Sequence, residues 1–139
     1  MTVHLHMTRG YDNCVQLIKF LSNSSDVIHL LFLASKNEVG LSWNRTSQQC
    51  ESVIEEVLES WEHNRRIDIL VLEVEKSEWD DPANEFKIDE DFAIFNIPTL
   101  KRWGEKAALL GEDCSEDFLV KEYFELNSDL ENNIFSRET

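Results

Sequence analysis

The sequence predicts one α/β domain, a mixed β-sheet with helices on both faces. Three observations predict it. Two continuous apolar runs, residues 27–34 and 67–74, read as strands buried on both faces, the pattern of a covered sheet. Amphipathic segments precede the first run and separate it from the second. That alternation requires parallel strands joined by right-handed crossovers. Late in the chain, short apolar segments flank Gly104 as a hairpin, adding antiparallel strands at one side.

Residues 3–6 alternate apolar and polar, which suits a short strand, and Gly10 breaks it. From residue 12 to 21, Cys14, Leu17, Ile18 and Leu21 fall at helical spacing, and a Ser-Asn-Ser-Ser run ends that helix. The strand at 27–34 carries one polar residue, His29. A polar loop at 35–42 leads to a second helix with the stripe Cys50, Val53, Ile54, Val57, Leu58 and Trp61, opposite Glu51, Glu55, Glu56 and Glu59. After strand 67–74, Asp80-Asp81-Pro82 reads as the opening of a short helix, with proline where its missing N–H costs nothing. Residues 92–95 lead to Ile97-Pro98-Thr99, and the hairpin takes 99–103 and 107–110. Ser115 reads as the cap of a last helix with the face Phe118, Leu119, Tyr123, Phe124 and Leu126. Residues 127–139 are polar and read as a flexible tail, so the domain is 1–126. The resulting order, β-α-β-α-β-α-β-β-α, is that of the thioredoxin fold.

The 139 residues suit one domain with a single sizeable core. The net charge of -15 repels phosphate backbones and anionic lipid, so nucleic-acid and membrane-surface roles are disfavoured. No apolar run approaches the roughly 20 residues of a membrane span. The N-terminus lacks a basic region followed by an apolar block, which points to a cytoplasmic or nuclear protein in a reducing environment. Cys14, Cys50 and Cys114 are too widely spaced for a disulfide framework or a zinc pattern. The sequons at Asn23 and Asn44 then read as chance.

Three segments carry a family resemblance: residues 32–43, with a long loop before Ser42-Trp43; residues 74–86, containing Trp79-Asp80-Asp81-Pro82-Ala83-Asn84-Glu85-Phe86; and Ile97-Pro98-Thr99-Leu100 followed by Trp103-Gly104. Together the chain resembles the thioredoxin domain-containing protein 17 family, the fourteen-kilodalton thioredoxin-related proteins, over nearly its whole length to about residue 126. The resemblance implies a disulfide reductase using Trp-Cys-Pro-Asp-Cys and recycled by thioredoxin reductase. It also implies a cis Ile97-Pro98 bond beside the active site, where the residue before proline pairs with an extended peptide. Here Trp43 matches the motif's tryptophan, but Asn44 stands for the attacking cysteine, Arg45 for proline, Thr46 for aspartate and Ser47 for the resolving cysteine.

Disulfide exchange needs a thiolate, which a helix N-terminus stabilises, and a second thiol one turn on to resolve the mixed disulfide. Asn44 has no ionisable group, and the Ser47 hydroxyl cannot replace a thiol. Cys50 lies about 9 Å farther down the helix on the apolar stripe and reads as structural. Cys14 reads the same way. Cys114 precedes a helix start, where an exposed thiol could be activated, though acidic neighbours oppose a thiolate. His4 and His6 share a strand face without a third metal ligand and read as unrelated edge histidines. His29 reads as a satisfied core histidine. No cofactor or metal is expected.

Two functional readings remain. In the first, a redox-inactive thioredoxin-like protein binds a protein or extended peptide, either on its own or as a subunit of a larger complex. The binding surface is then Trp43, Asn44, Arg45, Trp79, Ile97 and Pro98. Trp79 and Trp103 could equally be packing residues. In the second, the protein is a disulfide reductase or thiol enzyme with a displaced nucleophile, Cys114 or Cys50.

Overall fold

The structure, a computed structural model, describes residues 2–25, 27–60 and 66–127. The expected stripe residue Trp61 and the expected tail beyond Asn127 lie outside these. Five strands form one sheet: β1 (Thr2–Thr8), β2 (Ile28–Ala34), β3 (Arg66–Val74), β4 (Thr99–Arg102) and β5 (Ala108–Leu110), in the order β1-β3-β2-β4-β5. β1 and β2 run parallel to β3 on either side of it. β4 is antiparallel to β2, and β5 to β4. This is the mixed sheet expected from the order of elements. Gly104, at φ +90°, supplies the left-handed residue in the β4–β5 turn.

Alternate strand residues feed two cores. Leu31, Leu33, Ile69 and Val71 face α2 (Arg45–Ser60) and α5 (Asp117–Asn127), meeting Cys50, Ile54, Leu58, Val120 and Phe124. Leu30, Phe32, Leu70 and Leu72 face the other way, onto Cys14, Ile18 and Leu21 of α1 (Tyr11–Leu21) and onto Phe86 and Phe92. Every residue of β2 is buried because both faces are covered, which explains its unbroken apolar run. Among the described residues, no helix is long and apolar enough to cross a membrane.

Two expectations are corrected. The helix placed at Asp80-Asp81-Pro82 is two shorter ones, α3 (Lys76–Asp80) and α4 (Glu85–Ile88). A reciprocal capping box between Glu75 and Glu78 starts α3 directly after β3. Pro82 then holds Asp81 extended, at ψ 119°, so α3 ends there. Asn84 opens α4 by accepting the Phe86 N–H. The second correction concerns Ser115. It does not cap α5 but donates to the Glu112 carbonyl, closing a short 3-10 helix over Gly111–Ser115. The buried face of α5 is Val120, Tyr123 and Phe124, while Phe118 and Leu126 are exposed.

Candidate functional site

The loop after β2 is stitched to itself. The Asn37 side chain accepts the Val39 and Leu41 N–H groups, and Lys36 bridges to Ser42. This delivers Ser42-Trp43-Asn44 to the start of α2. The Ser42 hydroxyl accepts the Asn44 N–H at 3.1 Å. Asn44 Oδ1 in turn accepts the Ser47 N–H at 2.8 Å, so Asn44 is the N-cap of α2. Ser47 is buried, and its hydroxyl accepts the Ala34 N–H at 3.1 Å, tying the first turn of α2 to the end of β2. Trp43 Nε1 donates to the Val74 carbonyl at 2.9 Å, holding the indole over the end of β3. Asn44 and Ser47, the two positions the resemblance sets against the motif's cysteines, are thus structural hydrogen-bonding residues.

The Ile97-Pro98 peptide bond is cis. β4 begins one residue later, where Thr99 pairs with Phe32. Continuing that antiparallel register sets Ile97 level with Ala34, the residue to which Ser42 and Ser47 are bonded. The α2 start and the Ile97-Pro98 segment therefore flank the same strand end. Ile97 is half-buried, and among the described residues its main-chain N–H and C=O take no hydrogen bond. Arg45 is exposed at the helix start.

The tryptophans divide. Trp43 stands at this end of the sheet. Trp79, in α3 beyond the end of β3, packs partly buried against the α1-side core with Lys87 Nζ 4.2 Å from its ring centroid. Trp103 lies at the opposite end, donating its main-chain N–H to the Ile28 carbonyl, with its ring tilted by 47° against Phe92 at 4.9 Å. It is a packing residue.

The three cysteines are buried. Cys114, expected to be exposed, is fully enclosed and donates to the Leu109 carbonyl at 3.2 Å. The 3-10 helix folds it inward, against α2. Burial pushes the Cys14 thiol up to about 12. Cys50 is raised strongly, by its hydrogen bond to Cys114 and then by burial. None of the three is a surface nucleophile.

His29 is a satisfied core histidine: Nδ1 lies 2.7 Å from the Tyr123 hydroxyl, and burial pulls its pKa down to about 3. His4 and His6 are not unrelated, since their rings stack, and His6 Nε2 is 2.8 Å from Asp68 Oδ1. Asp68, fully buried in β3, also receives Ser25 and a forked Arg66. This cluster was not foreseen; the one signal for it was a carboxylate inside an apolar run. The Cys50–Cys114 contact left no sequence signal, because 64 positions separate the two residues.

One groove, of about 830 Å³, does not include Trp43 or Asn44 in its lining. It runs along the hairpin, between Phe95, Asn96, Thr99, Trp103 and Leu110, with the buried Lys101 at its base. Asn96 and Thr99 join it to the Ile97-Pro98 segment.

Comparisons with known proteins bear on the family and the fold. The family model described as "Thioredoxin domain-containing protein 17-like, thioredoxin domain" matches residues 7–126. The rice (Oryza sativa subsp. japonica) "Thioredoxin-like protein Clot" is 33% identical over 90 residues, 60% of this chain. The match spans 65% of that relative's length. The crystal structure of reduced Schistosoma mansoni thioredoxin pre-protein superposes with a TM-score of 0.52 at 13% identity, covering 86% of this chain and 98% of that one. At that identity the likeness bears on the fold alone.

Proposed function

We propose that this chain, which belongs to the thioredoxin domain-containing protein 17-like family, is a redox-inactive member that acts in the cytoplasm or nucleus by binding an extended peptide of a partner protein. One observation carries the reading. The residues at the two thiol positions are committed to the backbone, Asn44 as the α2 cap and Ser47 as the link to Ala34, so no sulfur stands at the helix start. The groups around that strand end support peptide binding. Ile97 offers an N–H and C=O, unpaired among the described residues, for strand-like pairing. Trp43 offers a half-buried ring, and Arg45 a positive charge on a protein of net charge -15. Strand ends of open α/β sheets are where such sites form. An acidic or extended peptide fits best.

The burial of Cys50 and Cys114 speaks against a displaced surface nucleophile. The purified chain, given thioredoxin reductase and NADPH, should reduce neither insulin disulfides nor cystine above a protein-free control; turnover would sink the redox-inactive reading. For the binding surface, the test is Trp43→Ala combined with Arg45→Glu, with folding verified by circular dichroism. A partner recovered with the parent should lose affinity for this variant. Unchanged affinity would place binding elsewhere.

A further inference from the structure

We infer that the hairpin groove is an acidic-residue subsite, in which Lys101 receives the carboxylate of an Asp or Glu carried by the extended peptide that pairs at Ile97. The inference rests on the peptide-binding reading above and adds a specificity to it. Lys101 is a cation inside the protein, 6% exposed. Its ammonium has three N–H donors and no acceptor. One donor goes to the Phe92 carbonyl at 3.0 Å, and among the described residues Lys101 has no other hydrogen bond and no ion pair. Buried charges are ordinarily paired. Burial pulls the Lys101 pKa down, and no acidic side chain counters that. A carboxylate brought in from outside takes the remaining donors and supplies the missing charge.

The groove suits a carboxylate on a chain better than a free anion. Ala108, paired with Lys101 across the hairpin, keeps that part of the groove open by its small side chain. Phe95 and Leu110, both exposed, are apolar walls. Among the exposed charged residues of the lining, Glu90, Asp91 and Glu105 outnumber Lys106, so a small anion is repelled at the mouth. A peptide overcomes this because it gains affinity elsewhere, from main-chain pairing at Ile97 and from contact with Phe95 and Leu110. Asn96 and Thr99 line the groove and flank Ile97-Pro98, so one chain can reach both. Lys101 is four residues beyond Ile97. That is about 13 Å of strand, which sets the acidic residue about four positions from the one opposite Ile97.

The test is peptide display on the immobilised full chain, with a library of random peptides and sequencing of those enriched. The expected result is one acidic position shared by the enriched set. A synthetic peptide of that consensus, and the same peptide with its acid made an amide, are then titrated by calorimetry. Neutralising the acid should weaken binding to the parent about tenfold or more, the worth of a hydrogen bond to a charged group. Lys101→Met keeps the aliphatic stem and loses the charge; with folding checked by circular dichroism, it should bind both peptides alike. The inference fails if the enriched peptides share no acidic position, or if neutralising the acid changes nothing for the parent. It fails too if the acid preference persists in Lys101→Met, or vanishes in Arg45→Ala, which would assign the acid to the helix start. In all these cases the peptide-binding reading stands. Enrichment of no peptide at all overturns that reading and this inference with it. Should Lys101→Met not fold, Arg45→Ala decides, since the acid preference must survive it even where affinity drops.

Discussion

Asn44, which the family resemblance sets at the attacking-cysteine position, has a structural task as the cap of α2. The Asn44 side chain accepts the third N–H of α2, so removing it should loosen the helix without touching the core. Asn44→Ala is expected to lower stability by about 1 kcal/mol, the usual cost of losing an asparagine N-cap. A urea unfolding midpoint will show it, and an unchanged midpoint would mean the cap is not formed. The same geometry makes the family chemistry restorable. In the double variant Asn44→Cys with Ser47→Cys, the introduced thiols lie one helical turn apart at a helix N-terminus, where the N–H groups stabilise a thiolate. Oxidation by glutathione disulfide should link them, as read by thiol titration and peptide mapping. Failure to link would show that α2 starts differently. That a helix begins directly after Trp43 was legible in the sequence. The link from Ser47 to Ala34 was not, because it joins two elements whose relative placement only the fold sets.

At the scale of elements, strong periodicity was legible and short local structure was not. The strands and the two long helices follow from apolar runs and stripes. The segment from Lys76 to Ile88 is governed by side chains reaching back to the main chain, and a capping box directly after a strand was enough to move the expected helix. In α5 the difficulty was an excess of apolar residues, more than one face can bury. The structure settles which ones matter. Phe124 is fully buried and meets His29 edge-on at 5.1 Å, whereas Phe118 is 63% exposed. Phe124→Ala should therefore cost about 3–5 kcal/mol. Phe118→Ser should stay within about 0.5 kcal/mol of the parent, as exposed positions do. Thermal or urea melts of the two variants check this, and a large loss for Phe118→Ser would mean that the α5 face is rotated from the one described.

For the whole molecule, the two buried titratable groups of the central strands set how stability responds to acid, and they act in separate windows. His29 lies in β2 with the Tyr123 hydroxyl on its ring nitrogen, Arg102 as an opposing charge and Asp68 as a favourable one. Its partner is 94 positions away, so the sequence could mark His29 as a core residue but could not name what satisfies it. Burial, with Arg102 adding to it, holds the ring neutral down to about pH 3, while an unfolded histidine titrates near 6.5. Between those values the unfolded chain binds a proton that the folded chain refuses. Stability is thus complete above pH 6.5 and is lost as pH falls below it, at up to about 1.4 kcal/mol per pH unit. Asp68 acts lower. Burial raises its pKa, but the hydrogen bonds from Arg66, Ser25 and His6 outweigh that and leave it below the ordinary carboxylate value. Its contribution is present above the unfolded value near 4 and disappears only as pH falls through the lower folded one. Urea midpoints of the parent should accordingly be level above pH 6.5 and decline steadily from pH 6 to 4.5. His29→Gln should start lower, having lost a fitted ring, yet lose the histidine-driven slope across that same range. A parent curve that stays level to pH 4.5, or a His29→Gln curve that falls as steeply as the parent, would contradict a neutral, enclosed His29 at the centre of the sheet.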